Sequence, residues 1–547
     1  MTLADIRPSA SRTCSGEAGF AAWLGRLAVR QYALCAMLVL LFASFNVFVG
    51  LNETRIDDSD EARYGVSAYE MVRSHSLVVT TYTGMPEYWN LKPPLGYWLI
   101  ALSFYLFGVS PFTLRLPAAL FALGTVALTM ALCRRYLNRR AALAAGLILA
   151  TTFGFFSHHG ARSGDLDSAL TFLLVLAVSL IPRLEEPACL IGFSALLAAG
   201  FLLKSFAILP ILLVALLYIV WTGSWRRLRP AACLAGAGLF LAVAGSWALA
   251  RWQADGSPYF LQRMVGEDLL ARSMREIDKG RSYPLSYLVS LFDRFAPWPL
   301  LILGGLFTAG VTGWGGWGGW GRLRAVLGRR GLRRAPLLAL WIVVPVILFS
   351  IARTHHHWYL DPVYPALAMM AAGSLLAVLR RVSPERRGAV LLACFFLPLV
   401  FCEVRLLQRV LVRDRMPDSQ RFLLSLAGRL AELGPDLRSS TPLYHSERFI
   451  LEAVDGFRVA EGAGDGPPFG ATPEMPLLVR KAAAAKGKGV RPDPDDDLLA
   501  ESQAYGVYGN SNLDLEAVRL RLNLPEGRRH LFRSLLRRHH GRLGRGA

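Results

Sequence analysis

Charged residues are scarce in this chain: they make up 18% of its 547 residues, and apolar residues make up 53%. A soluble chain of this length normally contains about 25% charged residues, and the mean hydropathy here is +0.37. These values exclude a soluble multidomain enzyme and a disordered chain. Repeated apolar runs of about 17–21 residues, each long enough to cross about 30 Å of hydrocarbon, indicate a polytopic all-α membrane protein.

Cysteine motifs are also missing from the sequence. The seven cysteines are scattered, none forms a CxxC pair, and none lies in the polar tail after Arg405. This excludes a disulfide framework and a zinc finger. A cleavable signal peptide is not indicated either, because the apolar run from Tyr32 to Leu51 is too long and no small-residue cleavage site precedes the following acidic stretch. We therefore expect an uncleaved first span.

The net charge of +20 does not indicate a nucleic-acid partner, because most arginines lie in short clusters between apolar runs. Such clusters face the cytoplasm in membrane proteins. They predict the lipid bilayer as the partner and a cytoplasmic location for the N-terminus. The clustered arginines occupy residues 134–140, 183, 226–229, 322–334 and 380–387.

The apolar runs predict about eleven transmembrane helices. An odd number of spans places the tail on the face opposite the arginine clusters. The predicted organisation is a cytoplasmic N-terminus (1–31), a transmembrane domain (32–404) with a first exterior loop (52–114), and an exterior tail or small domain (405–547). The spans are expected to begin near Tyr32, Arg115, Ala141, Leu166, Ala188, Ser205, Ala231, Trp298, Pro336, Tyr359 and Gly388.

Three segments have no clear span pattern. Residues 93–108 are apolar, but a span there would move every later arginine cluster outside, so we predict a helix at the membrane interface. Residues 313–321 are a low-complexity turn. The tail contains a helical pattern near 419–433 and short runs such as 476–480, which predict a small segment of uncertain α/β structure, with disorder as the alternative for 461–498.

The first exterior loop concentrates charge close to the membrane boundary. A carboxylate there is costly unless it is paired or lines a watery cavity, so Asp60 and its neighbours suggest a site; the alternative is that Asp60 caps a helix over 61–74. Lys92 precedes paired prolines at a predicted helix start, where free N–H groups favour anions. It is either a phosphate receptor or a lysine that reaches the lipid headgroups.

Further polar residues fall in the other exterior loops. His158 and His159 stand near Asp165 and Asp167, which leaves metal ligation open. Lys204 stands alone between two apolar spans, and Glu267 and Asp268 lie in a later loop. The triplet 355–357 (His-His-His) precedes the tenth span, and hydrogen bonding or phosphate contact is favoured there over a metal site.

Several strings in the chain resemble the bacterial dolichyl-phosphate-mannose-protein mannosyltransferase-like family, which includes the aminoarabinose transferase that modifies lipid A. The resemblance covers about residues 30–380. Its strings are DSDEARYGVSAYEMVRS (58–74), YWNLKPPLGYWLIALSFYLFG (88–108), RLPAALFAL (115–123), ARSGDLDSALTFLLVLAV (161–178), LLKS (202–205), SWALARW (246–252), GEDLLAR (266–272) and SIARTHHHWYLDPVYPALAM (350–369).

This resemblance implies a GT-C membrane fold with interfacial helices in the first exterior loop and a catalytic cavity on the periplasmic face. It implies a bacterial inner-membrane glycosyltransferase that moves a sugar from polyprenyl phosphate to a hydroxyl acceptor by direct inverting displacement. Lipid A, another envelope glycan, a glycolipid and protein hydroxyls all remain open as the acceptor.

The resemblance also implies roles for individual residues. Asp60 matches the proposed catalytic base, with Glu61 beside it, and Asp167 matches a second acidic residue. Expected contacts to the carrier phosphate are Arg63, Lys92, Lys204, His355 and Tyr359. Expected contacts to the sugar or acceptor are Tyr88, Trp89, Asp165, Glu267, Asp268 and His356.

Some positions depart from the family pattern. Leu91 stands where relatives often carry Glu, and Glu267-Asp268 stands where they often carry Glu-His. Because these positions form a metal site in some relatives, the sequence predicts no certain cofactor, with a divalent metal left open. Ser205 replaces the glycine of a Lys-Gly pair. A lipid or sugar flippase and a catalytically inactive relative are the alternative functions.

Overall fold

The structure is a computed structural model. It describes residues 29–156, 159–271, 285–310, 336–426, 436–439, 442–461, 477–480 and 497–509, with a few isolated positions. His158, the turn at 313–321, most of 461–498 and the last twenty residues lie outside the described residues. The chain forms two compact units. The first comprises Met1–Leu51, Ser74–Ser103 and Arg115–Arg413, and the second comprises Asn52–Arg73, Phe104–Leu114 and Asp414–Ala547.

Helices dominate the described residues. The first ten are α1 Tyr32–Phe48, α2 Asp60–Ser74, α3 Leu95–Phe107, α4 Pro111–Tyr136, α5 Arg139–Ala150, α6 Phe153–Phe156, α7 Asp167–Leu180, α8 Pro187–Lys204, α9 Leu209–Thr222 and α10 Pro230–Asp255. The others are α11 Tyr259–Arg263, α12 Ser286–Arg294, α13 Trp298–Gly310, α14 Pro336–Ile351, α15 Tyr364–Arg381, α16 Arg387–Leu391, α17 Leu397–Gln408, α18 Asp418–Leu424 and α19 His445–Arg448.

Several of these helices are suited to a membrane. Within the described residues, five helical segments are long and apolar enough to cross one: Pro111–Tyr136, Pro187–Thr222, Pro230–Asp255, His357–Arg381 and Pro384–Arg413. Four shorter apolar helices accompany them: α1, α3, α13 and α14. The predicted polytopic helical class is therefore confirmed, while the number of eleven spans stays a prediction. With 13 residues, α3 is about 20 Å long and too short to cross the hydrocarbon upright.

The predicted turn after Lys204 is present. Ser205 ends α8 with φ 45° and ψ −120°, a backbone conformation that side-chain-bearing residues rarely adopt. A short 3₁₀ turn over Ser205–Ile208 then leads into α9. The break presents Lys204 and Ser205 together at the end of an otherwise apolar helix.

Arginine side chains hold the chain where α1 ends. The buried guanidinium of Arg162 donates to the carbonyl oxygens of Asn46, Val47 and Val49 at 2.6–2.7 Å. The last carbonyls of a helix have no partner within the helix, so a buried cation that satisfies three of them fixes the helix end. Arg115 of α4 makes a similar bond of 2.8 Å to the carbonyl of Leu51.

The second unit joins the residues after α1 to the tail. The Arg55 amide donates to the Asp414 carbonyl at 2.7 Å, and the Met416 amide donates to the Glu53 carbonyl at 2.6 Å. The buried Gln420 side chain exchanges two hydrogen bonds with the backbone of Ile56. The tail and part of the first exterior loop are therefore one folded body.

A two-stranded ribbon, β1 Thr81–Tyr82 with β2 Met85–Pro86, precedes α3. A five-stranded mixed sheet lies in the tail, and its strands are β3 Asp436–Ser439, β4 Arg458–Glu461, β5 Leu477–Arg480, β6 Asp497–Glu501 and β7 Tyr505–Gly509. The strand order is β4-β3-β5-β7-β6. Strand β3 pairs parallel with β4 and β5, and β7 pairs antiparallel with β5 and β6.

A close approach of α13 and α15 depends on one glycine. A Cβ at Gly305 would lie 2.3 Å from Ser374 Cβ and 2.7 Å from Ser374 Cα. Because part of this clash involves backbone, the two helices would have to separate. A Cβ at the preceding Gly304 would meet nothing within 4 Å.

We therefore predict that Gly305→Ala destabilises the protein by about 1–3 kcal/mol through overpacking. Gly304→Ala in the same helix turn should be neutral or slightly stabilising, because alanine favours helix by about 0.5–1 kcal/mol over glycine. The measurement is the melting temperature of the purified protein in detergent. Equal melting temperatures for the two variants would contradict the close helix contact.

Candidate functional site

An ion pair between Lys204 and Asp167 forms the centre of the polar cluster in the first unit. Lys204 Nζ lies 2.6 Å from both carboxylate oxygens of Asp167, and the two side chains are 12% and 5% exposed. Asp167 is the first residue of α7, where a carboxylate is favoured by the helix dipole. Lys204 is the last residue of α8, where a cation is favoured for the same reason. Local helix geometry therefore supports the charge of each partner.

His159 extends this cluster to a second aspartate. Its Nδ1 lies 3.1 Å from Asp165 Oδ1 and 3.8 Å from Asp167 Oδ2. Burial alone would lower the pKa of His159, but the carboxylates of Asp165 and Asp167 outweigh it and raise the pKa to about 9. His159 is therefore an imidazolium at neutral pH, and it adds a second cation to the cluster of Lys204, Asp165 and Asp167.

Two members of the histidine triplet, His355 and His356, make different kinds of contact. His159 and His356 both stack on the Trp358 ring, with ring centroids 3.9 Å and 4.3 Å away. The two ring nitrogens of His355 bond to Ser286 Oγ and to the Ala352 carbonyl. This geometry favours a structural role for His355 over the phosphate contact predicted from the sequence.

Tyr359 lies in the same region, at the edge of this aromatic group. It is half-buried, and its ring packs at 5.2 Å against both Phe349 and His356. Tyr359, Asp167 and Lys204 all belong to the first unit, and their shared role in a site stays a prediction.

A second ion pair joins Lys92 to Asp268. The Nζ atom of Lys92 lies 2.5 Å from Asp268 Oδ1, and the side chains are 10% and 7% exposed. The other carboxylate oxygen, Oδ2, accepts a hydrogen bond from the Ser205 hydroxyl. Because Ser205 directly follows Lys204, both ion pairs meet at the same chain turn.

An apolar cluster packs beside the second ion pair. It contains the buried residues Leu91, Leu202, Trp247, Phe260 and Met264. Three of its members are close in sequence to residues of the ion pairs: Leu91 to Lys92, Leu202 to Lys204, and Met264 to Asp268. Burial of these neighbours positions the charged side chains that follow them.

The residues around Lys92 do not match a divalent metal site. Leu91 is 5% exposed and offers no ligand atom. Both oxygens of Asp268 already bond to Lys92 and Ser205, and an ammonium group would repel a cation. The donor set present here suits an anion rather than a metal.

Other predicted contact residues lie outside the two ion pairs. Glu267 is exposed and pairs with Arg263 of its own helical turn at 2.7 Å. Tyr88 packs edge-on against Tyr259 beside the apolar cluster. Trp89 is 61% exposed. Their roles in sugar or acceptor binding stay predictions.

The acidic residues of the first exterior loop belong to the second unit. Asp60 is the first residue of α2 and is half-buried. Glu61 is buried, and its carboxylate accepts the Asp57 amide at 2.8 Å, so it fixes the loop that leads into α2. This contact favours a structural role for Glu61 over the predicted catalytic one.

The tail holds Arg63 through a histidine. Arg63 Nε donates to His445 Nε2 at 2.9 Å. Burial and the nearby guanidinium of Arg63 lower the pKa of His445, which keeps its ring neutral and able to accept this bond. The amide and hydroxyl of Ser446 both donate to Asp58, at 2.7 Å and 2.8 Å.

Sequence reasoning missed three residues of these clusters. Ser205 was noted only as a departure from glycine, and its hydroxyl contact depends on the fold. Asp361 is a buried carboxylate that interacts with Asp167 and His159, and its position in a string of the family resemblance was the available signal. His445 lies in the tail, where the sequence carried no signal.

The pKa of His159 gives a testable pH dependence. A histidine whose pKa rises from 6.5 to about 9 on folding stabilises the protein fully below about pH 6.5, and this contribution is lost as the pH rises through about 9. We predict that the wild type melts at a higher temperature than His159→Gln at about pH 6, and that the difference shrinks by about pH 9.5. A difference that is independent of pH would contradict the charged state of His159.

The sequence of this chain is similar to those of several known proteins. Residues 91–248 match the dolichyl-phosphate-mannose-protein mannosyltransferase family. An undecaprenyl phosphate-alpha-4-amino-4-deoxy-L-arabinose arabinosyl transferase of Pseudomonas aeruginosa is 30% identical over 365 residues, which cover 63% of this chain and 60% of that protein. A protein of the same name from Shewanella sediminis is 27% identical over 382 residues, covering 66% of this chain and 63% of its own. The chain thus spans less than two thirds of these relatives.

Two solved structures share the fold of most of this chain. The crystal structure of ArnT from Cupriavidus metallidurans bound to undecaprenyl phosphate superimposes with a TM-score of 0.63 at 19% identity, covering 87% of this chain and 98% of that one. Its apo state gives a TM-score of 0.62 at 18% identity, covering 90% and 98%. The family match, the relatives and the solved structures agree on a polytopic helical fold like that of ArnT.

Proposed function

We propose that this chain is a glycosyltransferase that moves a sugar from a polyprenyl-phosphate carrier to a hydroxyl acceptor. The observation that supports this most strongly is a pair of largely buried lysines, Lys92 and Lys204, each held by a carboxylate. Lysines with so little exposure are rare unless they are paired or functional. The Ser205 hydroxyl connects the two ion pairs, and two such cations in a membrane-type fold suit the anionic head of a lipid.

The reaction we propose is a single displacement at the anomeric carbon. The acceptor oxygen forms a bond to this carbon while the bond from the carbon to the phosphate oxygen breaks, which inverts the anomeric centre. The acceptor proton passes to a carboxylate acting as general base. Asp60 is our candidate for the base, on the family resemblance of residues 58–74, and Asp167 is our candidate for orienting the acceptor.

The leaving phosphate gains negative charge as this bond breaks. Fixed cations in a site with little water stabilise such charge well, because few water dipoles compete with them. Lys92 and the Tyr359 hydroxyl are our candidates for this role in the first unit, with Arg63 as a further candidate in the second. Lys204 is bound by both oxygens of Asp167, so its main proposed task is to fix that carboxylate.

The family resemblance also supports proposals for location and substrates. We propose an inner-membrane protein of bacteria with a cytoplasmic N-terminus, a periplasmic site and a periplasmic tail, since the arginine clusters fall in alternate loops. An aminopentose on undecaprenyl phosphate is the donor to test first, because the relatives with matching sequences carry that substrate in their names. Lipid A is the corresponding first acceptor, ahead of other envelope glycans and protein hydroxyls.

The general base is tested with Asp60→Asn. This variant keeps the size of the side chain but cannot accept the acceptor proton, so we expect transfer to fall by about 10²–10⁴-fold. The assay follows radiolabelled sugar from polyprenyl phosphate into acceptor lipids, with purified protein in proteoliposomes. Glu70→Gln, which alters another acidic residue of α2, is the matched control and should retain transfer.

The same proteoliposomes separate the competing functions. Movement of the carrier across the bilayer without sugar transfer would support a flippase and contradict the proposal. Full transfer by Asp60→Asn would remove Asp60 as the base. Loss of transfer in both Asp60→Asn and Glu70→Gln, with lost folding, would show that the effect is structural and would also reject the assignment.

The donor set around Lys92 leads to a prediction about metals. Because Leu91 offers no ligand and Asp268 is already bound by a lysine and a hydroxyl, transfer should be insensitive to chelators. We expect transfer to change less than about twofold after dialysis against EDTA, and added Zn²⁺ not to raise it. A loss of transfer with EDTA that Zn²⁺ restores would contradict the anion-type site.

A further inference from the structure

Asp268 is bound to Lys92, the lysine that we propose as the receptor for the carrier phosphate. Its Oδ1 atom lies 2.5 Å from Lys92 Nζ, and both side chains are largely buried. A phosphate oxygen that bonds to the same ammonium group would need much the same space and the same charge. A carboxylate and a phosphate are therefore alternative partners for Lys92.

The charge balance decides how the two compete. The Lys92–Asp268 pair is neutral, so an arriving phosphate gains little attraction while the pair stays closed. If the carboxylate moves away, the largely buried ammonium loses this close anion, which is costly until another anion replaces it. The carrier phosphate can supply that anion.

The carboxylate is held in place from its other side by Ser205. The Ser205 hydroxyl donates to Asp268 Oδ2, and Ser205 has a left-handed φ of 45° that directs the chain away from α8. A glycine at this position would adopt the same φ at lower cost but has no hydroxyl. Ser205 thus adds a bond that holds Asp268 against Lys92.

The segment that carries Asp268 is suited to movement. Residues Met264–Ala271 form a π-helical stretch, and Met264 is its one buried residue. Val265, Glu267 and Leu270 of this stretch are exposed. Segments with few buried contacts open at low cost in free energy, and π-helical turns are frequent at functional sites.

We infer that Asp268, held by Ser205, is an internal competitor of the carrier phosphate for Lys92 and thereby sets carrier affinity and product release. This inference rests on the proposed function, since it takes Lys92 as the phosphate receptor. Carrier binding replaces the carboxylate, and the returning carboxylate displaces the polyprenyl phosphate that remains after transfer. In this scheme Asp268 controls how tightly the carrier binds and takes no part in making or breaking bonds.

The test measures binding of undecaprenyl phosphate to the purified full chain in detergent by native mass spectrometry. Asp268→Asn keeps the shape of the side chain but removes its charge, so we expect binding to tighten about tenfold, because the carrier phosphate then no longer competes with this carboxylate for Lys92. Ser205→Ala keeps the strained backbone but loses the bond to Asp268, so we expect a smaller tightening of about two- to threefold. General damage to the fold would weaken binding instead.

Two single variants and one double variant serve as controls. Asp293→Asn removes a carboxylate that is 67% exposed and pairs with Arg405, and it should bind as the wild type does. Lys92→Ala should bind poorly, both alone and combined with Asp268→Asn. Dissociation of bound undecaprenyl phosphate should be slower from Asp268→Asn than from the wild type.

The outcomes separate this inference from the proposed function. Unchanged or weaker binding by Asp268→Asn, while binding still depends on Lys92, overturns the competition and leaves the proposed function standing. Equal tightening by Asp293→Asn also overturns it, because the effect is then one of net charge. If the wild type and Lys92→Ala bind undecaprenyl phosphate equally, the phosphate role of Lys92 fails, and the inference fails with it.

Discussion

The ion pair between Lys204 and Asp167 is the constraint on which the polar cluster of the first unit depends. A lysine at the end of an apolar helix cannot remain buried without a partner, because desolvation of its charge is costly. Asp167 provides that partner from the start of α7, and it draws the imidazolium of His159 to the same place. The same turn carries Ser205, whose hydroxyl links it to the Lys92–Asp268 pair.

Much of the fold follows from the sequence. Apolar runs and arginine clusters predicted a polytopic helical protein, and the helices begin close to the predicted positions, as at Tyr32 and Trp298. The structure of the tail was harder to predict, because its strands are short and β3 pairs with segments far along the chain. Pairing between distant strands leaves no local pattern that sequence reasoning can use.

The sequence predicted several residues of the candidate site, but it did not predict which residues contact one another. Asp167, Lys204 and Lys92 stood out because charge near apolar runs is rare. The partners of these residues did not stand out in the sequence. Asp268 is separated from Lys92 by 176 positions in the chain, and the contact of Ser205 depends on a backbone turn that only the fold defines. Glu61 and His355 show the opposite case, since both matched functional expectations yet bond to nearby backbone or to a serine.

The coupling between Lys204 and Asp167 is the most direct test of this central constraint. It is measured by a double-mutant cycle on the free energy of unfolding, with Lys204→Met, Asp167→Asn and the double variant titrated with SDS in detergent micelles. We predict that each single variant is strongly destabilised because the remaining charge loses a partner at 2.6 Å, and that the double variant recovers about 2–3 kcal/mol relative to additivity. Additive losses would show that the two side chains do not depend on each other and would contradict the organising role of this ion pair.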